Sequence, residues 1–145
     1  MSIIKATKKE TESVTALALM LWPDNSYEKL FDDFYDFLKD ENCAIFLVKD
    51  NDTYIGFAQC QLRFDYVEGT NSSPVGYLEG VYIVPDCRHM GRGRMLVSEC
   101  EQWSKAKGCT EFASDVELNN VDSYQFHIKL GFREENRVIC FVKNI

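Results

Sequence analysis

The sequence predicts a mixed α/β fold, and three observations carry that prediction. Two amphipathic helical stretches open the chain, a block of apolar β-branched and aromatic runs separated by turn residues fills its middle, and helix and strand then alternate to the end. At 145 residues with 46% hydrophobic content, a single domain spanning 1–145 is expected.

Val14, Leu17 and Leu21 recur at helical spacing, and Trp22-Pro23 sets the end of that first helix because proline cannot continue it. Asp24-Asn25-Ser26 is a short loop. Tyr27, Leu30, Phe31, Phe34 and Leu38 keep the helical period, with Asp32, Asp33 and Asp36 on the wet side. From Cys43 the texture changes. Ala44 to Val48 and Tyr54 to Phe64 read as a hairpin around the turn cluster Asp50-Asn51-Asp52, and the Gly-, Asn- and Ser-rich stretch from Val67 to Pro74 leads to a further strand, Tyr77 to Val84. Gly93 to Lys107 carries Leu96, Val97, Cys100 and Trp103 on one face and stops at Gly108. Glu111 to Ser114 is a short strand, Val121 to Leu130 a helix closed by Gly131, and Arg137 to Val142 a last strand. The expected order is ααβββαβαβ.

Composition narrows function. Sixteen basic residues against 23 acidic ones give a net charge of −7, a field that repels polyphosphate backbones, so nucleic acid is not an expected partner and any anionic ligand needs a local feature to hold it. The six cysteines have no C-x-x-C pairing and there are only two histidines, so no zinc spacing or other metal site is expected, and reduced core thiols, Cys109 and Cys140 among them, are the simpler reading. No apolar run is long enough to span a bilayer and no signal-peptide core follows Met1, which predicts a cytoplasmic protein without a membrane partner.

The most informative stretch runs from Val84 to Met95 and joins a buried strand to a helix through Arg88-x-x-Gly91-x-Gly93. Glycines let the backbone approach a ligand and turn its N–H groups to one point, and the helix N-terminus adds partial positive charge that suits a pyrophosphate. Arg88, His89, Arg92 and Arg94 concentrate cationic groups there in an acidic chain. A P-loop requires Lys-Ser or Lys-Thr after the second glycine and a dinucleotide fingerprint a third glycine; neither is present. Two glycines alone are equally compatible with a plain strand-to-helix turn.

With these residues in view, the chain resembles the GNAT superfamily of acyl-CoA-dependent N-acetyltransferases, whose R/Q-x-x-G-x-G/A motif follows a strand like that from Leu78 to Pro85. The family's late-helix pattern is matched by Asn120, Ser123, His127 and Gly131-Phe132, with two departures: the small residue is Ser123, and His127 stands at the usual tyrosine position. The resemblance implies the GNAT fold, a mixed, mostly antiparallel central sheet with splayed parallel strands and flanking helices. It also implies acetyl-CoA as co-substrate, its phosphates on the turn formed by Arg88, Met90, Gly91, Arg92, Gly93, Arg94 and Met95, and its pantetheine arm between the splayed strands, with Asn120 nearby. The segments Phe64 to Thr70, Ser73 to Gly80, Cys109 to Asp115 and Arg137 to Phe141 are similar to those of the aminoglycoside 6′-N-acetyltransferases, which implies a cationic aminoglycoside substrate and a homodimer.

Acetyl transfer to an amine requires the neutral nucleophile, so a substrate ammonium must first lose a proton to a base or a water chain. Asp115, which the resemblance places beside the reacting amine, is the candidate base or amine anchor, and Glu79 its partner. Backbone N–H groups near Tyr82, Ile83 and Val84 are placed to polarise the thioester carbonyl. Trp22 and Tyr66 are candidates to flank sugar rings, whose C–H faces and ammonium groups both suit aromatic surfaces. His127 is a candidate proton donor to the departing thiolate, a packing or capping role being the alternative. Two other readings stay open at this level: a GNAT enzyme acting on a peptide, lysine or polyamine amine, and a non-catalytic acetyl-CoA-binding module.

Overall fold

The computed structural model describes residues 1–145. Its centre is one five-stranded sheet in the order β1-β2-β3-β4-β5, formed by Ser2–Lys5, Cys43–Asp50, Thr53–Arg63, Val75–Ile83 and Phe112–Ser114. The first three pairings are antiparallel and β4–β5 is parallel. Four helices flank it: α1 (Thr11–Leu21), α2 (Tyr27–Phe37), α3 (Arg92–Ala106) and α4 (Val121–Lys129). No helix is long and apolar enough to cross a membrane.

Strand periodicity sorts the core into two layers. Ala44, Phe46 and Val48 of β2, Ala58 and Cys60 of β3 and Leu78 of β4 pack with Leu96, Val97 and Cys100 of α3. The alternate residues Ile45, Leu47 and Phe57 face the other way, onto Val14, Leu17 and Ala18 of α1 and Leu30 and Phe34 of α2. The helix ends follow their expected chemistry. α1 stops at Leu21 immediately before Trp22-Pro23, and Ser26 caps α2 by accepting the N–H of Lys29 at 3.2 Å.

The sequence-based order differs from the structure at both termini. Ser2–Lys5 forms an edge strand against β2, too short to display an alternating pattern; its Ile3 and Ile4 are both only half-buried. At the other end, Arg137 to Val142 is not a strand. The chain after Phe132 has no regular structure, and Val138, Ile139, Phe141 and Val142 are exposed, as is Cys140, which therefore does not pack in the core. Cys109 is buried as expected, and all six cysteines are free thiols.

One irregularity decides how the site is built. Gln59 pairs with Gly80 and Cys60 with Leu78, so Glu79 is an extra residue in β4. This bulge reverses the alternation and turns Glu79 and Gly80 both toward the α1–α2 face. A Cβ on Gly80 would lie 2.8 Å from the ring of Trp22, so the glycine is what lets that indole close over the strand.

Candidate functional site

β4 outruns its parallel neighbour. Their pairing ends at Leu78 with Ser114, and residues 79–83 of β4 have no strand partner on that side. The chain then passes through Val84 and a short turn at Pro85–Cys87 into the glycine-bearing bend. His89 and Gly91 adopt left-handed φ values of 64° and 79°, a conformation that costs glycine nothing, and Gly91 caps α3 with no side chain. The first hydrogen bond of α3 runs from Met95 N–H to the Gly91 carbonyl at 3.1 Å, leaving the amides of Arg92, Gly93 and Arg94 without a partner in the chain. A Cβ on Gly93 would sit 3.0 Å from Phe126, so α3 and α4 are in close contact at this end.

The arginines of this bend are tethered to the protein. Arg88 Nε donates to the Ile83 carbonyl at 2.7 Å, with its guanidinium 5.3 Å from the ring centroid of Tyr82. Arg92 donates to the Cys87 carbonyl at 3.2 Å and to Met90 Sδ, and pairs with Asp50 of β2 at 3.2 Å. Arg94 donates to the Lys129 carbonyl at 2.7 Å, joining the start of α3 to the end of α4. Their charge still lies at the bend, beside the unpartnered backbone amides at the start of α3. Met90 and Met95 are exposed there.

α4 brings a second group to the end of β5. Asn120 caps the helix by accepting the Ser123 N–H at 3.1 Å. His127 Nδ1 lies 2.7 Å from the Ser123 carbonyl and must donate to it, which leaves Nε2 to accept from Ser114 Oγ at 2.8 Å in the neutral ring. The ring packs on Phe132 with centroids 5.1 Å apart. His127 thus reaches the last paired residue of β5, where the two parallel strands part.

On the opposite face, Trp22, Phe34, Phe37, Asp33, Gln59 and Glu79 line a cleft of about 280 Å3. Trp22 is held edge-on against the buried ring of Phe57 at 6.2 Å. Glu79 is not a free carboxylate. Its Oε1 accepts from Gln61 Nε2 at 2.6 Å and from Arg63 Nε and Nη2 at 3.1 and 2.8 Å, and its Oε2 accepts from Arg63 Nη2 at 3.0 Å. The same guanidinium lies 3.4 Å from the ring centroid of Tyr77, and the Tyr77 hydroxyl donates to Asp115. Burial, reinforced by the Asp115 carboxylate, pushes the Tyr77 phenol above its ordinary range, so it remains a donor at neutral pH.

The two carboxylates singled out from sequence therefore meet through a chain of contacts, Glu79 to Arg63 to Tyr77 to Asp115. Tyr66 stands apart. It is exposed in the loop between β3 and β4, bonded through its hydroxyl to the Gly69 N–H at 3.4 Å, and does not line the cleft. That loop is tied to the start of β5 by Glu111, which accepts from Asn71 N–H at 2.8 Å and from Ser72. No group of three or more His, Cys, Asp or Glu side chains is arranged to hold a metal ion.

A family model described as "Acetyltransferase (GNAT) family" matches residues 11–132. The chain belongs to the GNAT acetyltransferase family. Among curated relatives, the aminoglycoside N(6′)-acetyltransferase type 1 of Acinetobacter haemolyticus is 37% identical over 145 residues, covering 100% of this chain and 99% of the relative. Among solved structures, AAC(6′)-Iy in complex with the bisubstrate analog CoA-S-monomethyl-acetylneamine superposes with a TM-score of 0.96 at 35% identity, covering 99% of this chain and 98% of that one. AAC(6′)-IG from Acinetobacter haemolyticus gives 0.95 at 36%, covering 100% and 99%.

Most of the residues singled out from sequence gather in two places. The bend gathers Tyr82, Ile83, Val84 and the stretch from Arg88 to Met95; the cleft gathers Trp22 and Glu79, with Asp115 joined to Glu79 from the next strand. Sequence reasoning missed Gln61, Arg63 and Tyr77. Their signal was present as polar groups at alternate positions, Gln61 and Arg63 on β3 and Tyr77 and Glu79 on β4, inside strands otherwise read as apolar.

Proposed function

We propose that this GNAT protein transfers the acetyl group of acetyl-CoA to the 6′-amino group of aminoglycoside antibiotics, inactivating them. The observation that carries the reading is the full-length match, at 35% identity and a TM-score of 0.96, to an enzyme solved with a CoA–aminoglycoside bisubstrate analog. The site supports it chemically. The unpartnered amides of Arg92, Gly93 and Arg94, at the positive end of α3, suit a diphosphate, and the open edge of β4 suits an extended amide-bearing arm.

In this reading Asp115 anchors the substrate ammonium and accepts or relays its proton, with Glu79 as its charged partner across Arg63 and Tyr77. The neutral amine then attacks the thioester carbonyl, a C–N bond forms, the C–S bond breaks, and the thiolate takes up a proton. Of the backbone N–H groups at Tyr82 to Val84, that of Val84 is donated to the Ile55 carbonyl at 2.9 Å, so the developing oxyanion falls to the Ile83 N–H, which strand alternation turns to the unpaired edge of β4. His127 holds its ring against Ser114 at the parting of the strands and is assigned as the acid for the thiolate, a role that requires Nε2 to carry a proton, with Ser114 Oγ then accepting rather than donating. Asn120 acts by fixing the start of α4. Trp22 walls the cleft against a sugar ring, while Tyr66 joins the site only through its loop.

We assign residues 1–145 to one catalytic domain working in the cytoplasm, without nucleic acid or membrane partners, as the net charge of −7 favours. A homodimer is supported by the exposed apolar residues Val138, Ile139, Phe141 and Val142 and by the outer edge of β5, which has no neighbour in the sheet.

The test is acceptor-dependent release of free CoA thiol with kanamycin or tobramycin, set against peptides and spermidine, followed by product analysis of which amine is acetylated. Turnover confined to peptides or spermidine would overturn the antibiotic reading. A protein that binds acetyl-CoA but releases thiol with no acceptor would be a binding module.

A further inference from the structure

The carboxylate that lines the acceptor cleft already carries a cation. The two oxygens of Glu79 receive four hydrogen bonds, from Gln61 Nε2, from Arg63 Nε and twice from Arg63 Nη2. Three of these fall on Oε1 and one on Oε2, so the side of the carboxylate that faces β3 is occupied, and an ammonium that binds Glu79 there must displace the guanidinium. The guanidinium also lies over the Tyr77 ring at 3.4 Å, and a carboxylate beside an aromatic face is the setting an ammonium group itself seeks.

We propose that Arg63 is a resident counter-cation that the substrate ammonium replaces, making it a specificity-determining residue of the acceptor site; this rests on the acetyl-transfer reading above. Three features favour exchange over a fixed pair. Arg63 is the last residue of β3, where the chain enters the loop, so its side chain can swing outward without disturbing the sheet. It is the outer member of the pair, with 39% of its side chain exposed against 20% for Glu79. Finally, one cation for another keeps Glu79 neutralised throughout, so no partly buried carboxylate is left unpaired.

The consequence is a filter by charge number. A monoamine exchanges with Arg63 at no net gain, whereas a polyamine that replaces it and also reaches Asp33 on the cleft wall or Asp115 beyond Tyr77 gains contacts Arg63 does not make. The arginine therefore sets a threshold that multiply charged acceptors cross.

Arg63→Met keeps the aliphatic stem and removes the competing charge. It is expected to lower KM for kanamycin about five-fold, the range of a half-exposed ion pair, and to lower KM for a single-ring 6-amino sugar by more. The effect falls on KM rather than kcat, and Arg63→Lys, which retains the charge, restores a KM near that of the native protein. An unchanged or raised KM in Arg63→Met would make Arg63 a fixed scaffold and overturn the proposal. Should that variant not fold, the native protein decides. On titration with kanamycin, the Arg63 Nε–H resonance in 15N spectra shifts and exchanges faster with water if the guanidinium leaves Glu79, and staying in place refutes the exchange. Absence of thiol release from native protein with every aminoglycoside refutes the acetyl-transfer reading instead, and the same resonance followed with spermidine still decides whether an amine displaces Arg63.

Discussion

Gly80→Ala tests whether the cleft wall is set by one missing methyl group. The new Cβ would meet two ring atoms of Trp22 at 2.8 Å, whereas carbon atoms rest at about 3.5–4.0 Å, so the indole edge must retreat by about 1 Å. It cannot retreat inward. Trp22 already packs edge-to-face on Phe57, which is fully buried. Outward movement weakens that aromatic pair, worth about 0.5–1.5 kcal/mol, and overpacking of this kind costs about 1–3 kcal/mol when it is not relieved. The expected loss is about 1–2 kcal/mol. For a chain of this length that is a fall in Tm of about 3–8 °C, at about 3–4 °C per kcal/mol. Because Trp22 shares the cleft with Glu79 while the donor bend lies beyond the end of β4, KM for the aminoglycoside should rise several-fold with KM for acetyl-CoA nearly unchanged. Steady-state kinetics with each substrate varied, together with a thermal melt, provide the measurement. An unaltered melting point and acceptor KM would refute the idea that Gly80 and Trp22 fix the wall.

Asp115→Ala is expected to reduce turnover by about two orders of magnitude or more while acetyl-CoA still binds in titration calorimetry; undiminished turnover would remove Asp115 from the reaction. Gly91→Ala places a side chain at φ 79° where nothing obstructs it sterically, so the cost is conformational, about 1 kcal/mol, and should appear as weaker acetyl-CoA binding if the bend holds the diphosphate. Burial and the nearby Asp40 push the Cys43 thiol up to about 12, so it should resist iodoacetamide at pH 8 while exposed Cys140 is alkylated, as peptide mass spectrometry would show. The same upward shift is one of stability. The folded state retains protons at Cys43 and Tyr77 that the unfolded chain releases at its ordinary pKa values, so their contribution is complete below about pH 9. It declines as pH rises from there toward 12, which urea midpoints at pH 8 and pH 10.5 would detect.

Much of the middle of this chain was legible because local pattern and tertiary role coincide there. The end of α1 at Trp22-Pro23, the apolar runs of β2 and β3 around their turn cluster and the glycine-marked start of α3 are each written within a few residues. The bulge at Glu79 was not, since it is a mismatch between two strands and a register involves residues twenty positions apart. The same holds for Arg63. Its sequence position, after a run of strand residues, says nothing about lying across Tyr77 and on Glu79. Arg137 to Val142 shows the converse: strand texture is local, but a ladder needs an available edge, and this chain does not bring that segment to one. His127 was legible as a motif position, yet its bond to Ser114 emerges only when α4 folds back over β5.

The early stop of β5 has a mechanical side. Between Leu78 and Ile83 the sheet is laced along one margin only, so this stretch should be the most readily deuterated part of β4 when nothing is bound. A rod-like molecule bearing amides can serve there as a borrowed strand. The protein would then be stiffest while its donor is seated and loosest just after the spent carrier departs, which ties its rigidity to the rhythm of its own turnover.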